Sequence, residues 1–442
     1  MKALVIATLA LLGSAAANAA EADQQALVQQ GEYLARAGDC VACHTAKDGK
    51  PFAGGLPMET PIGVIYSTNI TPDKTGIGDY SFEDFDKAVR HGVAKGGSTL
   101  YPAMPFPSYA RVSDADMQAL YAYFMKGVAP VARDNQDSDI PWPLSMRWPL
   151  SIWRWMFAPS VETPAPVAGS DPVISRGAYL VEGLGHCGAC HTPRALTMQE
   201  KALSASDGSD FLSGSAPLEG WIAKSLRGDH KDGLGSWSEE QLVQFLKTGR
   251  SDRSAVFGGM SDVVVHSMQY MTDADLTAIA RYLKSLPAND PKDQPHQYDK
   301  QVAQALWNGD DSKPGAAVYI DNCAACHRTD GHGYTRVFPA LAGNPVLQSA
   351  DATSLIHIVL KGGTLPATHS APSTFTMPAF AWRLSDQEVA DVVNFIRSSW
   401  GNQASAVKPG DVAALRNGDL QSTSNAVSYT HLRAHETGRK LV

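Results

Sequence analysis

The chain has 442 residues, 44% hydrophobic and 19% charged, which suffices for about two to four globular cores at ordinary domain sizes. That composition excludes disorder, collagen and simple coiled coil as readings of the whole chain. A formal charge of −8 gives no basic face for a polyanionic backbone, so nucleic acid is excluded as a partner.

In chain order, the first feature is a leader. Lys2 precedes an apolar run from Ala3 to Leu12, and Ala17-Asn18-Ala19 has the small-x-small form of a signal-peptidase site. Residues 1–19 are therefore expected to be removed on export to a bacterial periplasm. The apolar run is too short to span a bilayer and no later stretch reaches about 18 apolar residues, so no transmembrane helix is expected.

The six cysteines stand in three strings: Cys40-Val41-Ala42-Cys43-His44, Cys187-Gly188-Ala189-Cys190-His191 and Cys323-Ala324-Ala325-Cys326-His327. Each reads as a c-type haem attachment site. Two thiols at this spacing reach the two vinyl groups on one porphyrin edge, and the adjoining imidazole comes under the iron as proximal ligand. A redox dithiol or structural zinc is the alternative, but zinc needs further ligands and the chain has no other cysteine.

The repetition extends beyond the motifs. A short helix-like run precedes each: Gly31-Glu32-Tyr33-Leu34, Gly177-Ala178-Tyr179-Leu180, and Gly315-Ala316-Ala317-Val318-Tyr319. A closing helix follows each, expected at Ser113 to Phe124, Thr272 to Leu283 and Ser385 to Ile396. Each has Ser or Thr as N-cap, acidic residues in its first turn and apolar residues at helical spacing. Between them, Gly76-Ile77-Gly78 before Ser81 parallels Gly233-Leu234-Gly235 before Ser238, each predicting a helix that stops at Gly92 or Gly249; a shorter counterpart stops at Gly362-Gly363. The fold class expected is all-α, three tandem domains each packed around one haem.

An electron-transfer haem wants both axial positions filled, and a thioether sulfur raises its potential. Met104 sits in Tyr101-Pro102-Ala103-Met104-Pro105 and Met377 in Thr376-Met377-Pro378, both shortly before a closing helix. The middle segment has Met260, Met268 and Met271; Met260, after Gly258-Gly259, fits best, with Met268 in reserve. Any of these could instead be core filler. His91, His186, His230, His266, His296, His332, His357 and His369 have no regular place in the repeat and default to structural roles. No nucleophile elbow, phosphate loop or dinucleotide fingerprint is present.

Residues 140 to 157 read IPWPLSMRWPLSIWRWMF and hold Trp142, Trp148, Trp153 and Trp155 with Arg147 and Arg154. The prolines argue against continuous helix before about residue 150. Two readings stay open here: an anchor for a partner protein or membrane surface, and a linker pressed into an interdomain groove. Val427 to Thr437 read VSYTHLRAHET, which looks like translated sequencing-adapter DNA. The gene is therefore expected to be cut after about Ala426. The resulting division is 1–19 leader; 20–135, 173–288 and 313–402 haem domains; 136–172 Trp/Pro-rich linker; 289–312 second linker; 403–426 tail; and 427–442 artefact.

With these residues in hand, the chain resembles the tri-haem cytochrome c subunit of bacterial membrane-bound dehydrogenases, both the quinohaemoprotein alcohol dehydrogenases and the flavin-dependent gluconate, sorbitol and fructose dehydrogenases. The resemblance covers roughly residues 20 to 401. Its marks are Asn69-Ile70-Thr71-Pro72-Asp73, Tyr101-Pro102-Ala103-Met104-Pro105, the PWPLSMRWPL run, Ser225-Leu226-Arg227-Gly228 and Gly258-Gly259-Met260. It implies thioether bonds to Cys40, Cys43, Cys187, Cys190, Cys323 and Cys326, proximal ligation by His44, His191 and His327, and distal ligation by Met104, Met260 and Met377. It further implies an electron-transfer subunit without a substrate-oxidising centre. Such a subunit takes electrons from a large subunit bearing pyrroloquinoline quinone or flavin, with a small third subunit in some complexes, and passes them to ubiquinone. The expected place is the periplasmic surface of the cytoplasmic membrane, peripherally attached. A free-standing multihaem carrier or an oxidase-associated cytochrome is the alternative.

Overall fold

A computed structural model describes residues 21–163, 171–218 and 220–423; the expected leader, residues 164–170 of the first linker and the expected adapter segment lie outside them. Around the first motif run a helix at 21–37, the helical turn Cys40–Cys43, a hairpin pairing Pro57–Thr60 with Gly63–Tyr66, and helices Phe82–His91 and Asp114–Lys126. Around the second run Pro172–Ala178, which continues as a widened turn Tyr179–Leu184, then Gly188–His191, Glu239–Thr248, Gly259–His266 and Asp273–Ser285. Around the third run Ala316–Asn322, Ala324–His327, Thr353–Lys361 and Asp386–Arg397, with strand Gly363–Thr364 antiparallel to Thr376–Met377.

The last helix of each segment starts where its cap residues dictate. Ser113, Thr272 and Ser385 accept from the backbone N–H groups of Asp116, Asp275 and Glu388 at 3.2, 3.1 and 3.3 Å. Each bond satisfies a donor that helix geometry leaves orphaned. The residue before each cap, Val112, Met271 or Leu384, is buried beneath the first turn. The inner helices stop at Gly92, Gly249 and Gly362, whose φ of 65°, 75° and 68° is a conformation that glycine adopts without strain.

Opening and closing helices cross where a glycine removes the side chain. A Cβ on Gly31 would lie 1.9 Å from the Ala119 carbonyl oxygen; on Gly177, 2.0 Å from that of Ala278; on Gly315, 2.2 Å from that of Asp391. Beside each glycine packs the Cβ of an aromatic residue, Tyr123, Tyr282 or Phe395. Backbone thus rests on backbone, which fixes where the attachment turn that follows the opening helix will sit.

The buried apolar residues form two main cores. One is continuous across the first and second segments and includes Leu34, Met117, Leu120, Leu180, Leu184, Leu276 and Ile279. The other belongs to the third and includes Tyr319, Ile356, Val392, Phe395 and Trp400. Parts of the chain read as linkers or tail are helical: Trp148–Phe157, Gln301–Trp307 and Pro409–Thr423. The last buries Val412 against the third core, and Arg416 joins Asp386 at 2.7 Å and the Ala381 and Leu384 carbonyls, so burial and a satisfied charge order it.

Candidate haem attachment sites

Each motif folds as one helical turn that carries its histidine at or just beyond the end. All six cysteines are free of disulfides. Burial pushes the Cys40, Cys187 and Cys323 thiols up to about 12. Among the described residues no group of three His, Cys, Asp or Glu side chains gathers to hold a metal ion.

The three histidines share one feature that residue types alone do not announce. Nδ1 of His44 lies 2.8 Å from the Thr68 carbonyl, that of His191 2.7 Å from the Lys224 carbonyl, and that of His327 3.0 Å from the Pro339 carbonyl. A carbonyl only accepts, so Nδ1 carries the proton and Nε2 is left with a free lone pair. Burial lowers the pKa of all three imidazoles, which keeps them neutral as an iron ligand requires. A carbonyl at Nδ1 also fixes the ring plane and raises ligand basicity. Together, paired thiols free of disulfides and an imidazole with Nε2 free fit a covalently bound haem.

The acceptor carbonyls are themselves locked. Thr68 precedes Asn69, which is 2% exposed, donates to the Val131 and Arg133 carbonyls at 2.8 and 3.1 Å, and accepts from the Thr71 backbone and hydroxyl. Lys224 precedes Ser225; Arg227, 4% exposed, reaches the Phe211 carbonyl at 3.0 Å. These are the Asn69 and Ser225 strings singled out in the sequence, and the carbonyl one residue upstream is what each holds in place.

Met104 and Cys40 pack against the first core, and Met377 and Cys323 against the third. Met104 follows buried Tyr101 and precedes Phe106, whose ring rests on Gly92. Met377 is held in its strand opposite Gly363, with its carbonyl 2.4 Å from where a Cβ on Gly362 would be. Met260 lies in the first turn of Gly259–His266 and is half-buried, whereas Met268 and Met271 are 6% and 4% exposed within the shared core.

Two buried carboxyls beside the motifs went unnoticed in the sequence. Asp39 precedes Cys40 in a left-handed conformation, φ 51°, and burial with Asp262 nearby pushes it up to about 8. Glu200 sits over Gly188, and burial pushes it up to about 7. The position of Asp39 next to a cysteine was a visible signal; the approach of Glu200 was not. In the tryptophan segment, Trp142, Trp148 and Trp155 are 80%, 63% and 81% exposed, and only Trp153 turns in, toward Phe106 and the Thr197 carbonyl. Arg147 stacks on Tyr101 and Arg154 reaches toward the His91 carbonyl, so the outward face is apolar. Among the described residues no helix is long and apolar enough to cross a membrane.

A cytochrome c family profile matches residues 28–127 and 312–400. The chain is 66% identical over 418 residues to a gluconate 2-dehydrogenase cytochrome c subunit of Pantoea cypripedii, covering 94% of each. It is 58% identical over 430 residues to an alcohol dehydrogenase (quinone) cytochrome c subunit of Gluconacetobacter polyoxogenes, 97% of this chain and 91% of that one. Against a fructose dehydrogenase cytochrome subunit of Gluconobacter japonicus it is 37% identical over 423 residues, 89% of this chain and 83% of that one.

Proposed function

The chain belongs to the family of cytochrome c subunits of membrane dehydrogenases, electron-transfer subunits of dehydrogenase complexes, and from that premise we propose that it binds three haems, one at each motif. Cys40, Cys43, Cys187, Cys190, Cys323 and Cys326 form the thioether bonds. His44, His191 and His327 are proximal ligands; Met104, Met260 and Met377 are distal ligands. Haem bound there supplies one-electron redox chemistry. The protein's part would be to hold each imidazole in one tautomer and to supply a thioether sulfur as the second ligand. The three matching Nδ1 bonds to backbone carbonyls are the observation that carries this reading. The place of Met260 directly after Gly258-Gly259, at the start of Gly259–His266, supports it as the middle distal ligand.

In this proposal the electrons come from a catalytic subunit, pass to ubiquinone, and do so at the periplasmic face of the cytoplasmic membrane. The higher identity to the gluconate 2-dehydrogenase subunit favours gluconate and a flavin-bearing partner over alcohol and pyrroloquinoline quinone. The exposed tryptophans at 142, 148 and 155 support peripheral attachment.

The test is purification from native membranes under mild detergent. Peptide mass spectrometry that finds haem on all six cysteines, and flavin in a co-purifying large subunit, is the expected result. A solitary cytochrome without a cofactor-bearing partner overturns the dehydrogenase assignment and leaves an independent carrier. Haem on fewer than three motifs overturns the stoichiometry.

A further inference from the structure

Between the second and third segments lies an aromatic cluster that the motifs do not use. Trp221 stacks on Phe257, ring centroids 6.0 Å apart and 10° from parallel, and meets His357 of the third segment at 4.7 Å. Both Trp221 and Phe257 come from the second segment yet pack against the third core. The next residue, Ile222, donates its N–H to the Ser354 hydroxyl across the junction at 2.8 Å.

Two short chain paths lead from this cluster to the second attachment site. Three residues on, the Lys224 carbonyl accepts from His191 Nδ1. On the other side the indole lies against Gly258, φ 62°, where a Cβ would be 2.5 Å from the ring; Met260 is two residues later. Phe257 in turn rests on Gly363, the register partner of Met377. The corresponding strand position in the first segment, three residues before Thr68, is Ile65, which belongs to a small local cluster with Tyr101 and Ile140. In the second segment both ligand loops are keyed to a neighbour in this way.

We propose that Trp221 is a positioning residue for the second haem: its indole transmits the docking of residues 301–415 to the His191 acceptor strand and to the Met260 loop at once. The inference rests on the ligand assignment proposed above. An imidazole whose carbonyl acceptor shifts changes its donor strength to the metal, and a displaced sulfur weakens its bond; both move the reduction potential. Removal of the indole therefore acts most directly on the second haem.

The experiment uses the mature holo-cytochrome in its complex and reads potentiometric steps and the sulfur-to-iron charge-transfer band, not turnover. Met260→His identifies the second haem as the step it lowers. Trp221→Ala is expected to shift that same step by about tenfold in equilibrium constant, about 59 mV for a one-electron couple, and to weaken the band. Trp221→Phe restores both. Ser354→Ala, on the far side of the junction, shifts the step in the same sense and decides the matter if Trp221→Ala does not mature. Steps unmoved in these variants beside a lowered melting temperature overturn the inference. A Met260→His protein in which no step moves overturns instead the ligand assignment beneath it.

Discussion

The second segment has two neighbours, and its two junctions are built on different principles. Toward the first segment the junction is polar and reciprocal. Tyr33 donates to Asp275 at 2.6 Å and accepts from the Thr272 backbone at 3.2 Å; Tyr179 donates to Asp116 at 2.5 Å and accepts from the Ser113 backbone at 3.1 Å. Each opening helix lends a tyrosine to the cap of the other segment's closing helix. Arg36 lies over Tyr270 at 4.0 Å, and at the matching place Glu182 bonds Arg111 at 3.2 Å. Near the same axis His186 contacts the Gly38 carbonyl at 3.3 Å, so the chain just ahead of Cys40 meets that just ahead of Cys187. Toward the third segment the junction is aromatic and joins ligand loops instead. The third opening helix has exposed Ala317 two residues after its crossing glycine, where the other two have tyrosine.

The sharpest way to break this contrast is to force the helix crossings apart. Gly177→Ala drives a Cβ into the Ala278 carbonyl within the shared core, and Gly315→Ala does the same at Asp391 with strain from φ 83° added. Each is expected to cost upward of about 3 kcal/mol. Haem counted by pyridine haemochrome should fall by about two-thirds for Gly177→Ala, because the first two sites share a core, and by about one-third for Gly315→Ala. Equal losses would mean that the cores are not separate.

Next in size is Asp275, 12% exposed at its side chain, which Arg176 grips at 2.8 and 2.9 Å while Tyr33 donates from across the junction. Asp275→Ala should cost about 2–3 kcal/mol in a denaturant titration of the first two segments. Burial raises this carboxyl, but the bonds from Arg176 and Tyr33 outweigh it and hold the pKa below its ordinary 3.8. A folded value below the unfolded one means that the stabilisation is complete above 3.8 and disappears as pH falls toward the folded value. Asp275→Asn should therefore lose this acid-dependent part of the melting profile; an unchanged profile would show that the contact contributes nothing. Tyr33→Phe removes less, about 1 kcal/mol, and Tyr179→Phe should match it if the junction is symmetric.

The smallest effect on stability, within about 0.5 kcal/mol, is expected for Trp148→Ser with Trp155→Ser, since both indoles face out. Their loss should nevertheless release the protein from anionic vesicles in a co-sedimentation assay. Retained binding would return the segment to the status of a linker.

Much of this was legible in local sequence. Ser113, Thr272 and Ser385 announced their helices, and Gly92 and Gly249 their stops, because caps act within a few residues. What escaped lies in pairings across long separations. Tyr33 and Asp275 are 242 positions apart, and no periodicity links them. The carbonyls of Thr68, Lys224 and Pro339 escaped because every residue has one, so only the fold says which is aimed at an imidazole. The helix Pro409–Thr423 was read as tail because a single buried valine and one well-placed arginine order it, too little apolar content to stand out in a pattern.

The exchanged tyrosines also set an order of assembly. During synthesis, the closing helix Asp114–Lys126 is complete as a sequence long before Tyr179 emerges to bond its cap, and the same junction leaves Tyr33 waiting for Thr272 and Asp275. The first segment is born unfinished and matures with the second, as one cooperative act spanning about three-fifths of the polypeptide. The third has a helix crossing of its own, but Trp221 and Phe257 of the second segment pack against its core, so it closes against a neighbour already in place.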